Sequence, residues 1–422
     1  MKMIKRYFSP LLAVALFASA TVAEAAVHRV YPGESIQAAI DGAAPGDTVL
    51  VEPGLYKETD NGRYGLRITT DNLRLIGKVK KGKGEAGKVR LMANEDQETG
   101  VLAAPEHCEY DMKREECEAA IDAATGGDLV DLKGFYIRGF SVEDFPVNGI
   151  QTRWVDGFEF VRNESARNLN NGIYPTLSAN GLVRNNESYG SLDTAMWVAG
   201  SENVRVMGNE LYGSVIGFEI TVSDNVQVTH NEIHSNTVGI GLFHPDAAGN
   251  PPLEDGMANW VIEHNDVYAN NGAEDENGEP LVPPDEDSLQ ALLPPGAGIL
   301  LLGVSDHVVA KNNVEDNDFV GIAVLGWCTA VFFTPRACTG IPVDPPEANN
   351  NLVQLNYLSG NGEDAPGGDL DFLAADIAYF HIADQIPGYP LEAPGTGNCF
   401  KKNKPSGYTF VSSEGELPTD GC

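Results

Sequence analysis

The sequence predicts an all-β fold, a right-handed parallel β-helix with a short N-terminal capping helix and long loop insertions. Segments ending in asparagine recur at Asn163, Asn186, Asn209, Asn231, Asn265, Asn313 and Asn356, at steps of 23, 23 and 22 residues and then 34, 48 and 43. After nearly every one of them, a second short strand opens on a small residue, as in "GIYPT", "AMWVA", "GFEIT", "GIGLF" and "GIAVL". Each short period alternates apolar and polar residues between Asn, Gly and Ser, with no room for a helix. A unit that small cannot bury its apolar face alone, so successive turns must stack.

Taken in order, the chain opens with Lys2, Lys5 and Arg6, an apolar run from Leu11 to Ala20, and Ala23-Glu24-Ala25. Residues 1–25 read as a secretory signal, which makes the product periplasmic or secreted. With no cysteine near the cleavage point and no later apolar span, no membrane anchor is expected. The domain reading is a signal over 1–25, a β-helix over 26–398 and a disulfide-closed cap over 399–422. "SIQAAIDGA" predicts a short helix with Ser35 as N-cap and Ile36, Ala39 and Ile40 on one face, placed to cover the open end of the first coil. The strands "TVLVEPG" and "NLRLIG" follow. Phe140 takes the asparagine slot in "YIRGF", and the asparagines themselves are expected to form an internal ladder of side-chain amides.

Charge limits the partners. With 28 Lys+Arg against 61 Asp+Glu the formal net charge is −33, so no nucleic acid is expected as a partner. A densely charged polyanion is disfavoured too, unless a bound cation or a local basic cleft intervenes. The 42% apolar content argues against global disorder. The six cysteines fall in sequential pairs, Cys108/Cys117, Cys328/Cys338 and Cys399/Cys422, and an oxidising compartment makes disulfides the natural pairing. No metal site is expected of them, since no zinc spacing is present. His230 and His264 share the slot before the ladder asparagine, with His234 near, and offer at most a surface metal site. The run from Lys78 to Arg90 reads as a solvated loop. The acid-rich segment from Glu274 to Asp287 could hold Ca²⁺, but it lacks a defined loop spacing, and solubility is the simpler explanation.

"SIQAAIDGAAPGDTVLVEPGLYKE" together with the Asn-to-"GI" repeat resembles secreted β-helix proteins of the pectate-lyase-like superfamily, most of all bacterial proteins with tandem β-helix repeats. That resemblance covers most of the chain and implies the fold; its relatives include polysaccharide lyases, epimerases and glycoside hydrolases. It does not assign a reaction, because the "NTD", "GHG" and "DPHD" signatures of such enzymes are missing. Lysine is absent between Lys133 and Lys311, which counts against a lysine base in the central coils.

Strand alternation places Ile150, Ile173, Met196, Phe218 and Ile240 inward. It stacks Gln151, Tyr174, Trp197, Glu219 and Gly241 in an outer column, with Arg153, Thr176, Ala199, Thr221 and Phe243 beside it. Apolar residues higher on the same face need a cover. Insertions near residues 245–259, 272–296 and 328–350 are expected to supply it, leaving Arg153, Tyr174, Trp197 and Glu219 as an open floor. Glu219, His244 and Arg153 are the candidate catalytic groups: two for proton transfer and an arginine to pair a uronate carboxylate. Tyr174, Trp197, Asp193 and Asp246 are the candidate substrate contacts. The leading expectation is a carbohydrate-active protein binding or modifying a polysaccharide, as lyase, epimerase or hydrolase. Its rival is a non-catalytic β-helix that binds a secreted protein or a cell-envelope component. Pro175 is the oddity, since proline cannot donate to a central ladder.

Overall fold

The computed structural model describes residues 25–243, 257–275, 277–283, 288–332, 347–365, 367–368, 370–381 and 395–419. The chain winds through three parallel sheets in fixed order and returns to the first. Sheet I has 12 strands from Val27–Val30 to Cys399–Lys401, sheet II has 10 from Gly54–Tyr56 to Tyr357–Ser359, and sheet III has 11 from Tyr64–Ile68 to Phe410–Ser412, all among the described residues. Phe158, Phe160, Met196, Phe218 and Ile240 fill the interior shared by the sheets. The coil runs on past residue 398, because Cys399–Lys401 pairs with Leu352–Gln354 and the strand Phe410–Ser412 pairs with Ala375–Phe380.

The asparagine ladder stands at the corner between sheets I and II. Nδ2 of Asn186 donates to Oδ1 of Asn209 at 3.0 Å and to the Phe160 carbonyl at 3.0 Å, while its own Oδ1 accepts from Asn163. The row continues unbroken through Asn231, Asn265, Asn312, Asn356 and Asn403. One rung was misplaced by a residue. Asn312 occupies the ladder, and Asn313 instead opens a strand and donates to Glu315. Phe140 does hold the asparagine slot one coil earlier, its backbone N–H donating to Asn163 Oδ1.

The other two corners carry ladders the sequence reading did not foresee. Asn236, Asn270, Asn317 and Asn361 stack between sheets II and III. Between sheets III and I, Ser178, Ser201 and Ser223 lead through Trp260 and His307 to Asn351 and Asn398. Each group bonds main chain or side chain on a neighbouring coil, so the turns are tied at every corner.

The N-terminal helix is Ile36–Asp41, with Ser35 Oγ accepting from Ala38 N and with Ile36 and Ile40 buried against the first coil. A second helix, Arg114–Thr125, belongs to an insertion that also contains the Cys108–Cys117 disulfide. Cys328 and Cys399 are disulfide-bonded as well. Cys338 and Cys422 lie outside the described residues, as do 1–24 of the expected signal.

His230 and His264 stack on adjacent coils with ring centroids 5.2 Å apart. His234 is not with them: it stacks between Tyr212 and Tyr268 on the outer face of sheet II. Among the described residues no three His, Cys, Asp or Glu gather in metal-binding geometry. Asp275, in the acid-rich segment, accepts from the backbone of Asn277 and Glu279 and so closes a turn. The Lys78–Arg90 run is only partly a solvated loop, since Lys78 pairs with Glu52, Lys88 with Glu164 and Arg90 with Glu143.

Candidate functional site

The strands Asn171–Thr176, Thr194–Ala199 and Ile216–Thr221 of sheet III carry the expected floor. Ile173, Met196 and Phe218 enter the core, so Tyr174, Trp197 and Glu219 face outward. Trp197 pairs in register with Glu219, and Glu219 with Gly241 on the next coil. Pro175 lies within its strand, and the ladder to the following coil registers at Ile173 and Thr176 and skips the two residues between. The missing N–H of proline accounts for that gap.

This outer face has two halves. Beyond Glu219 it is apolar: Ile216, Val238, Phe243, Leu300, Leu302 and Leu325 form a cluster separate from the core. Leu281, Leu293 and Ala330 pack on that cluster, so two of the expected insertions do supply cover. A Cβ on Gly241 would overlap the Phe243 ring, which therefore lies over the coil adjoining Glu219.

The other half is polar and aromatic, but it is not an open floor. Tyr174 and Trp197 are each 8% exposed, Arg153 7% and Glu219 1%. Arg153 donates to the Tyr110 carbonyl at 2.7 Å and to the Met112 carbonyl, and its guanidinium stands 4.8 Å from the Trp154 ring. Those carbonyls belong to the disulfide-closed insertion. Burial pulls the Arg153 pKa below its ordinary value, and the residue expected to meet a uronate instead fastens this insertion to sheet III. Tyr174 and Trp197 stack on each other at 4.7 Å and 13°, and Trp197 Nε1 donates to Thr221 Oγ1 at 3.0 Å.

The chemistry concentrates on two carboxyl groups. The Thr194 hydroxyl lies 3.1 Å from Oδ1 of Asp193 and 2.8 Å from Oε2 of Glu219. A single hydroxyl has one proton to donate, so it can serve both groups only when one of them is protonated and donates in return. Desolvation and the neighbouring Asp193 charge push Glu219 well above the usual carboxylate range, against the Thr194 hydrogen bond. Desolvation raises Asp193 to about 6, against hydrogen bonds from Thr194 and Gln290. Asp193 keeps part of its surface open, whereas Glu219 does not. The arrangement is a protonated acid with its partner able to ionise near neutrality.

One buried polar atom without a partner, Asn171 Oδ1, lies on the coil beside Thr194, and two more, Thr176 Oγ1 and Arg153 Nε, lie at the far end of the same strands. Such atoms call for water or a polar ligand. His244 and Asp246, expected near Glu219, lie outside the described residues. Thr194 and Gln290 were missed. Strict alternation would have put Thr194 inward with Met196; instead Ala195 and Met196 both enter the core, and this break turns Thr194 outward to Glu219. Gln290 comes from the helix Leu289–Leu292 of an insertion, where no periodicity signals it.

The family described as right handed beta helix region matches residues 129–251. Over nearly the whole chain the structure superposes on DFA-IIIase from Arthrobacter chlorophenolicus A6 without its lid, at TM-score 0.54 and 14% identity, covering 92% of this chain and 90% of that one. The chain is a right-handed parallel β-helix. The same β-helix matches DFA-IIIase in complex with GF2 at TM-score 0.52 and 13% identity, over 94% of this chain and 86% of that one. The A-module of mannuronan C-5 epimerase AlgE4 from Azotobacter vinelandii follows at TM-score 0.49 and 13% identity, over 90% of this β-helix and 94% of the module. No curated protein matches the chain in sequence.

Proposed function

We propose that this β-helix is a secreted or periplasmic carbohydrate-active protein that cleaves or transfers a glycosidic bond at the outer face of sheet III. The observation that carries the reading is the Asp193–Thr194–Glu219 arrangement: two carboxyl groups on neighbouring coils, bridged by one hydroxyl and held in unequal protonation. Glu219 is the general acid that protonates the leaving oxygen, and ionised Asp193 is the base or nucleophile. The stacked Tyr174 and Trp197 stand beside them, as aromatic faces do at sugar subsites. DFA-IIIase, a carbohydrate-active β-helix protein, lends the class support through its fold.

Elimination and epimerisation need a cation over the substrate carboxylate. Arg153 is engaged by carbonyls, and Arg167 is paired with Asp144 and Glu143, so no side-chain cation among the described residues serves the pair. Hydrolysis or transfer is the reading that the two unequal carboxyl groups serve by themselves. The near-complete burial of Glu219 also suits a second reading, in which the pair is a structural proton-sharing contact in a non-catalytic β-helix that binds a protein or envelope partner.

A panel of neutral and uronate polysaccharides separates these readings. Reducing ends should accumulate without the ultraviolet absorbance of unsaturated uronates, and Glu219→Gln should lower kcat by roughly 10²–10⁴ while the protein stays folded. Full activity in Glu219→Gln would remove the proposed acid. Glycan binding without turnover, lost in Trp197→Ala, would make the face a lectin-like site, and no binding at all would favour the protein-partner reading.

A further inference from the structure

We propose that the outward face of sheet I is a separate binding site for an anionic polysaccharide bearing carboxylates on successive sugars. The site is independent of the carboxyl pair on sheet III. A groove of about 700 Å³ crosses this face, lined by Arg74, Tyr136, Glu159, Leu182 and Arg205, which follow one another in register on adjacent coils. Its floor is low because Gly134 and Gly157, both at positive φ, carry no side chain there, while Gly181 leaves room beneath it for the core ring of Phe158.

The arginines are the telling feature. Five successive coils each contribute one: Arg74 and Arg205 line the groove, Arg138 and Arg184 stand two residues further along their strands in the next outward column, and Arg162 sits at the turn that follows its strand. At roughly 4.8 Å per coil the set spans about 19 Å along the axis, one cationic group per coil, with those of the three middle coils displaced to one side of the groove. None of the five forms an ion pair among the described residues, in a chain whose formal net charge is −33.

The contrast with the other described arginines is complete. Arg29, Arg63, Arg90, Arg114 and Arg167 face carboxylates, and Arg67 and Arg153 are held by main-chain carbonyls. With so many carboxylates on the surface, arginines left unpaired together mark a place where an external anion supplies the partner. Arg74 also lies 4.1 Å above the Tyr136 ring, which sets a cation and an aromatic surface side by side, as recognition of an acidic sugar needs.

The groove itself carries Arg74, Arg205 and one acid, Glu159, with the other three arginines to one side, in a chain of formal net charge −33. A single extended chain with spaced carboxylates fits it. A nucleic-acid duplex does not, because its denser phosphate lattice would reach the acidic flanks. The sequence reading left room for a polyanion only if a local basic cleft existed, and this face provides one.

The full chain is titrated at low and moderate salt with oligogalacturonate of defined length, a neutral glucan of equal length and a DNA duplex. Oligogalacturonate should bind, more weakly as salt rises, and the neutral glucan should not. The Arg138→Ser, Arg184→Ser and Arg205→Ser triple variant should raise Kd at least tenfold with an unchanged melting temperature. Glu159→Gln, which removes the one opposing charge in the groove, should tighten binding about twofold or more whatever the triple variant does to folding. No uronate binding at low salt, equal affinity for the glucan, tighter binding to DNA, or unaltered affinity in the folded arginine variant would each overturn the proposal. So would uronate binding lost in Trp197→Ala and kept in the arginine variant, since the ligand would then sit on sheet III.

Discussion

Asn209 shows what one side chain contributes in this fold. Its amide donates to Asn231 and to the Val183 carbonyl, while its oxygen accepts from both nitrogens of Asn186. Asn209→Ala leaves two buried donors on Asn186 without an acceptor and should cost about 2–4 kcal/mol in denaturant unfolding. Two other buried residues make stability depend on pH in opposite senses. Burial lowers His307 from 6.5 to about 3, so the folded protein refuses a proton that the unfolded chain takes, and stability falls as pH drops through that window. Asp193 is raised from 3.8 to about 6, so its contribution is full below 3.8 and is lost as pH rises through 6. Melting temperatures followed from acid to neutral pH should lose the acid-side fall in His307→Asn and the opposite trend in Asp193→Asn. The sequence made Glu219 a candidate because alternation turns it outward, and Asp193 a candidate as a carboxylate near it in the repeat. It could not show Arg153 bound beneath Tyr110 and Met112, since those carbonyls come from an insertion with no period of its own.

At the scale of elements, the disulfide-bearing insertion is the clearest case. It places the Tyr110 and Met112 carbonyls over Arg153, and Cys108 and Cys117 are only nine residues apart in sequence. Closing so short a loop stabilises by roughly 2–3 kcal/mol, so Cys108→Ser with Cys117→Ser should lose about that much in denaturant titration and loosen Arg153. The asparagine corner was legible because its period was regular. The serine, tryptophan and histidine corner between sheets III and I was not, because Ser223, Trp260 and His307 share no chemistry that a pattern search would align. Trp260 and His307 hold that corner by stacking at 4.1 Å instead of by matching amides. The one-residue slip at Asn312 has a similar origin: two adjacent asparagines offer the same letter to the slot, and only the turn chooses between them.

For the whole molecule, stacking buries every strand between its neighbours and leaves the two ends as the exposed edges. Ile36 and Ile40 of the first helix close one end, at 0% and 2% exposure. Ile36→Asp with Ile40→Asp should uncover that edge and produce association visible by sedimentation, with the central coils still resistant to proteolysis. Two of the three sheets differ in what their outer faces carry. Sheet III bears the carboxyl pair beneath its insertions, and sheet I bears the groove with its arginines.

The rungs Asn231 and Asn265 are 34 residues apart and Asn265 and Asn312 are 47 apart, yet both pairs keep the contact made by rungs 22 or 23 apart. Chain length between rungs is thus decoupled from pitch, and the closure penalty of a longer excursion grows only logarithmically. A guest segment spliced into such an excursion, for instance at the exposed Gly278 turn, would travel as cargo on a scaffold whose geometry does not register its size.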